Sequence, residues 1–139
     1  MPAGTHRLLV GPQTALTDDD RVVLNELRNN SFFAIRHADL SGISSVSINI
    51  GSGDKFFQYI GGRIELHLDS PEGPLAGQVA VEAKNGMVKM TFYEVQMPLT
   101  AEADGKFHDL YFVIKSENNA MQAVTAVDWV RFNLSKPVQ

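Results

Sequence analysis

The stretch GGRIELHLDSPEGPLAG, residues 61–77, decides the fold. Within it Ile64, Leu66 and Leu68 alternate with Arg63, Glu65 and His67. An alternation of period two puts apolar side chains on one face of a strand and polar ones on the other, the mark of a sheet with a dry and a wet face. DSPEGPLAG is dense in proline and glycine and predicts a turn. Upstream, SVSINI repeats the pattern, with Val46, Ile48 and Ile50 opposed to Ser45, Ser47 and Asn49. Downstream, QVAVEA, VKMTFYEVQM, HDLYFVIKS and VDWVRFNL read as further short strands, with NGM and ADGK as hairpin-type breaks. Many short strands with turns between them predict an all-β chain, an antiparallel sandwich or barrel.

The first thirty residues differ in character. TDDDRVVLNELRN predicts a short helix. Thr17 can cap it with Asp20 as capping-box partner, and the three Asp suit the positive end of the helix dipole. Val23, Leu24 and Leu27 fall on one side. The expected organisation is an N-terminal extension over residues 1–30 and a β-sandwich core over 31–139, one domain in all.

The chain has 139 residues, 44% apolar and 20% charged, enough for a single sizeable core. A net charge of -4 without a run of Lys or Arg argues against a nucleic-acid partner. The absence of Cys removes disulfides, thiolate nucleophiles and Cys-ligated zinc. No apolar run is long enough to span a bilayer, and no membrane partner is expected. MPAGTHRLLV lacks the apolar core of a signal peptide, so an exported parent protein would carry that signal outside this chain.

Catalytic motifs are scarce. The chain has no Gly-x-Ser-x-Gly elbow, and GSG at residues 51–53 is followed by neither Lys-Ser/Thr nor a helix. His6, His37, His67 and His108 are far apart in sequence, with no i,i+4 helical pair. His67 reads as a surface residue and His108 as a structural hydrogen-bonding one. Glycoside hydrolysis needs two carboxylates across a cleft, and no pair announces itself. The expectation is a protein that is not an enzyme.

GDKFFQYIGG, residues 53–62, sets Phe56, Phe57 and Tyr59 between glycine signals. Three readings stay open. The segment could extend a strand and bury one aromatic pair. Its rings could stand exposed as a stacking platform, with Asp54 or Gln58 as hydrogen-bonding partner. They could also form a protein interface, where Phe and Tyr are favoured. Of Phe32 and Phe33, alternation sends one ring to the core and leaves the other as a candidate contact.

GGRIELHLDSPEGPLAGQVAV, then MPL, GKFHDLYFVIKSE and VDWVRF, resembles the family-6 type of carbohydrate-binding module, a galactose-binding-like β-jelly-roll domain. Gly62, Ile64, Glu65, Leu68, Asp69, Ser70, Pro71, Gly73, Pro74, Leu75 and Gly77 match its motif, as do Gly105, His108, Asp109, Leu110, Tyr111, Val113, Asp128, Trp129 and Phe132. With FFAIRHADLSGISSVSINIGSG upstream, the resemblance covers about residues 31–134. It implies a non-catalytic module that binds an oligo- or polysaccharide by aromatic stacking and hydrogen bonds. It also implies an accessory domain of a larger secreted, cell-surface or periplasmic bacterial protein acting on glycans or oxidising sugars. Leu110, Phe112 and Trp129 are then packing residues.

The family's edge site sandwiches a sugar between two aromatics beside an Asn. Here the Asn position falls on Ala126, the early aromatic on Ile35 with Phe33 close by, and the loop aromatic near Met87 to Lys89. The resemblance thus makes Phe33, Asp54, Phe56, Phe57, Gln58 and Tyr59 the expected ligand-binding set. Asp128 is left as a ligand for a structural Ca²⁺, without the family's N-terminal Glu. The alternative is a jelly-roll interaction domain that has lost the sugar site and self-associates.

Overall fold

The computed structural model describes residues 8–10, 13–16, 22–53, 58–87, 91–100, 104–116 and 123–134, with side chains from residue 27 onward. Ten strands follow in order: β1 (Leu8–Val10), β2 (Gln13–Leu16), β3 (Val22–Arg28), β4 (Phe32–Ala38), β5 (Ile43–Ser52), β6 (Gly62–Leu68), β7 (Leu75–Val81), β8 (Thr91–Pro98), β9 (His108–Lys115) and β10 (Ala123–Leu134). They form two five-stranded sheets, ordered β1-β4-β9-β6-β7 and β2-β3-β10-β5-β8. Every pairing is antiparallel. Of the two all-β architectures that the alternation allows, this is the sandwich, as the family resemblance implies.

Each sheet turns its apolar row inward. Ile64 and Leu66 of β6, Leu110, Phe112 and Ile114 of β9, and Phe33 and Ile35 of β4 come from the first sheet. Val46, Ile48 and Ile50 of β5, Val130 of β10 and Met97 of β8 come from the second. The Phe33 and Phe112 rings stack with centroids 4.9 Å apart and planes 8° apart at the middle of this core. Burying a Phe side chain is worth about 1.5–3 kcal/mol, so this pair anchors the interior.

The expected N-terminal helix is corrected over its second half. Val22–Arg28 is strand β3, and residues 17–21 lie outside the described residues. β3 pairs with β2 on one side and with β10 on the other, in a register that sets Leu27 opposite Thr125 and Leu24 opposite Val127. Two neighbouring ladders satisfy its backbone, and Leu27 is fully buried. The pair Val22-Val23 favours that outcome, because β-branched side chains suit a pleated surface better than a helix.

The turn after β6 rests on Gly73. A Cβ there would lie 1.9 Å from the Leu68 carbonyl oxygen, so only glycine closes it. The same turn sets the Gly73 carbonyl 2.7 Å from His67 Nδ1.

Candidate functional site

Three places bear on ligand binding: the loop edge near residue 59, the neighbourhood of Asp128, and the outer face of the first sheet.

At the loop edge, Asp54, Phe56 and Phe57 lie outside the described residues. Gln58 is exposed. Tyr59, expected as a stacking ring, is 3% exposed and packs with Ala123 and Ala126, so it is an interior residue. The absence of a side chain beyond Cβ at Ala126 leaves room for a large ring there. Asn85 ties the loop ends together. Its Oδ1 accepts from the Gly53 amide at 2.8 Å and from the Tyr59 amide at 3.0 Å, and its Nδ2 donates to the Tyr59 carbonyl at 3.1 Å. Sequence reading takes Asn85 as a turn residue of NGM. Its side-chain role carries no sequence signal, since the partners lie 26 and 32 positions away.

Phe33 is also corrected. It is 0% exposed and stacked on Phe112, so it offers no surface to a ligand. Alternation instead turns Phe32 outward. Trp129, read as packing, stands half-buried on the outer face of the second sheet with the Arg131 guanidinium 5.1 Å from its ring centre.

Asp128 is 8% exposed, and its Oδ2 accepts from Asn49 Nδ2 at 3.2 Å. Calcium takes about six to eight oxygens. Among the described residues no group of three or more His, Asp or Glu could hold a metal.

The outer face of the first sheet brings rings and polar groups together. Phe32 pairs with Val113 and Ala34 with Tyr111, which makes Phe32 and Tyr111 diagonal neighbours. Their centroids lie 5.5 Å apart at 59°, both half-buried. On the far side of β9, His67 pairs with Tyr111 and Glu65 with Val113. The polar row therefore lies one strand spacing, about 4.8 Å, from the Tyr111 strand. Glu65 accepts from Arg63 Nε at 2.7 Å and meets His67 Nε2 at 2.8 Å. Gln78, exposed on β7, pairs with Glu65 and extends the row. Partial burial alone would push the Glu65 carboxyl up. Hydrogen bonds from His67 and Arg63 and the Arg63 charge outweigh it and hold the carboxyl below its ordinary value.

The arrangement offers apolar ring faces to the C–H side of a sugar and a fixed carboxylate and guanidinium to its hydroxyls. Sequence reading identifies the polar row but leaves Tyr111 among the scaffold. The signal was there: Tyr111 and Val113 alternate with the buried Leu110, Phe112 and Ile114. His108 makes the structural bonds expected of it, to Asp69 at 2.9 Å and Asp104 at 3.0 Å.

Comparison with known proteins agrees with this architecture. The family model "Carbohydrate binding module (family 6)" matches residues 21–134. A family 6 carbohydrate-binding module from Clostridium cellulolyticum, solved with xylose, superposes with a TM-score of 0.72 at 20% identity, over 96% of this chain and 95% of that one. A β-1,3-glucan-binding module from Bacillus halodurans gives 0.71 at 23% identity, over 95% and 92%. A glycoside hydrolase family 43 arabinoxylan arabinofuranohydrolase from Bacillus subtilis, solved with cellotetraose, gives 0.63 at 22% identity over 82% of this chain. The chain spans only 21% of that enzyme's length. A search of curated proteins found no match. With a family model over most of its length and a sandwich of the matching kind, the chain belongs to the carbohydrate-binding modules of family 6.

Proposed function

We propose that the protein is a non-catalytic module that binds a neutral β-linked glycan across the outer face of the first sheet. The observation that carries this reading is the Phe32–Tyr111 ring pair set one strand from the Arg63–Glu65–His67 row. Tyr111 supplies the main stacking surface, with Phe32 beside it. Glu65 accepts hydroxyl hydrogens, and Arg63, 40% exposed, donates to hydroxyl oxygens. The non-catalytic reading is supported by the make-up of this set, in which Glu65 is the one carboxylate, whereas glycoside hydrolysis uses two. The sugar class is suggested by the relatives, whose descriptions name xylose and β-1,3-glucan. An accessory role in a larger protein is supported by the arabinofuranohydrolase, of which the chain spans 21%.

Affinity gel electrophoresis against xylan, β-1,3-glucan and mixed-linkage glucan tests the reading. Retardation by at least one, lost in Tyr111→Ala, is expected. No retardation of the folded protein by any of them, or retardation unchanged in Tyr111→Ala, would overturn it.

A further inference from the structure

The outer face of the first sheet does not end at the polar row. Beyond β6 lies β7, the last strand of its sheet. Its first residue, Leu75, is 43% exposed. The pairing of β6 with β7 explains why. Glu65 stands opposite Gln78 and Leu66 opposite Gly77, but His67 stands opposite Leu75, so β7 carries an extra residue at this step. Such a bulge re-aims the side chain that follows it. Ala76 and Gly77 both turn inward: Ala76 is fully buried in the core, and a Cβ on Gly77 would meet the Met97 side chain at 3.1 Å. The bulge therefore sets Leu75 on the outer face beside His67. One exposed leucine by itself needs no explanation. This one faces an aromatic ring across a polar row.

Two rows of side chains now cross the strands. Tyr111, His67 and Leu75 make one, and Phe32, Val113, Glu65 and Gln78 the other. The rings stand at one end, and Leu75 and the exposed Gln78 at the other. Tyr111 and Leu75 are two strand spacings apart, about 9.6 Å. A sugar unit in an extended β-1,4-linked chain is about as long as one strand spacing, about 4.8 Å. Three such units therefore cover β9, β6 and β7 in turn. The first stacks on the rings, the second lies over Glu65 and His67, and the third meets Leu75 with the Gln78 amide beside it. A β-1,3-linked chain curls, which lifts its third sugar off a row of this kind. The strand direction is less suitable. A chain laid along β6 stops at His67, where the turn folds back and the Gly73 carbonyl meets the ring at 2.7 Å. Across the strands it runs on past β7, which ends the sheet.

We propose that the face binds an extended β-1,4-linked glycan across the strands, with Leu75 and Gln78 as the residues that select for chain length and linkage. This rests on the sheet face being the binding surface and names the chain that it takes. Titration calorimetry of the whole chain with xylotriose, cellotriose, their disaccharides and laminaritriose tests it. The better of the two β-1,4-linked trisaccharides is expected to bind at least about tenfold more tightly than its disaccharide and than laminaritriose. Leu75→Ala should weaken that trisaccharide by about fivefold and leave the disaccharide unchanged, since only the third sugar reaches β7. Gln78→Ala should act in the same direction. Both side chains are exposed, so their truncation leaves folding intact. Ala80, opposite Arg63 on β7, lies outside both rows, and Ala80→Gln should leave binding unchanged. Equal affinity for trisaccharide and disaccharide, equal affinity for laminaritriose, undiminished binding by Leu75→Ala, or a loss in Ala80→Gln as large as in Leu75→Ala would overturn the proposal. Polysaccharide retardation that depends on Tyr111 would survive each of those results, so the two readings fall separately.

Discussion

On the outer face of the first sheet, Phe32 and Tyr111 lean together 5.5 Å apart with no cation over either ring among the described residues. On the outer face of the second, the Arg131 guanidinium lies over Trp129, and its Nη2 is bound to Glu94 at 2.9 Å. Asn133 donates to Ser45 and Ser47 beside it. Both faces hold aromatic, cationic and carboxylate side chains. They differ in where the cation sits. Arg131 covers its ring and satisfies its carboxylate, so a sugar would have to break an ion pair and a cation–π contact to reach Trp129. Arg63 and His67 gather on Glu65, one strand away from the rings, and leave the aromatic surface uncovered. An aromatic on a sheet is available to a ligand only when its neighbours' polar groups find partners elsewhere.

This contrast can be broken at several points. The largest effect is expected where both faces share their support. Phe112→Ala removes the stack with Phe33 and should cost about 3–5 kcal/mol, read as a lowered denaturant midpoint. Both faces should fail together. Asn85→Ala leaves the Gly53 and Tyr59 amides without their acceptor. Such a loss costs about 1–3 kcal/mol per buried group, and glycan retardation by the sheet face should persist in the folded fraction. Tyr111→Ala should weaken glycan binding by about tenfold, about 1.4 kcal/mol, whereas Trp129→Ala should leave retardation unchanged. The reverse ranking would make the second sheet the binding face. Arg131→Ala should cost no more than about 1 kcal/mol, the range of exposed ion pairs, by the same denaturant measurement.

The smallest expected effect is a pH dependence. Hydrogen bonds that the His108 ring donates to Asp69 and then to Asp104 raise it above its ordinary value of 6.5. A raised value means the folded state holds the proton more tightly than the unfolded one. Its contribution is therefore full below about pH 6.5 and is lost as pH rises through the higher folded value. Asp104 is lowered from 3.8, first by the Lys106 amide and then by His108, so its share is present above that value and fades as acid is added. A melting profile that declines above about pH 6.5 in the parent and is flatter in His108→Gln would show the contribution of the His108 hydrogen bonds. Identical slopes in the two proteins would remove it.

Sequence reading identifies the strands β5, β6, β9 and β10, because period-two alternation is a local property of the chain. It identifies Arg63, Glu65 and His67 as a polar row for the same reason. It fails where the answer depends on a distant partner. Val22–Arg28 has apolar spacing compatible with a helix, and only the ladders to β2 and β10 make it a strand. Asn85 acts across 26 and 32 positions. GDKFFQYIGG divides in the same way: residues 54–57 lie outside the described residues, and Tyr59 turns inward because Ala123 and Ala126 leave it space.

The sequence by itself determined that this chain is all-β with two-faced sheets, since burying one row of each strand follows from alternation, and the family resemblance chose the sandwich over the barrel. The tertiary structure decided the phase of that alternation at the doublet Phe32-Phe33. Alternation says that one ring points in and one out. The register of β4 on β9 chooses, setting Phe33 against Phe112 in the core and Phe32 beside Tyr111, half-buried on the outer face. A slip of one residue would exchange them, and the cost of exposing the core row is what fixes the choice.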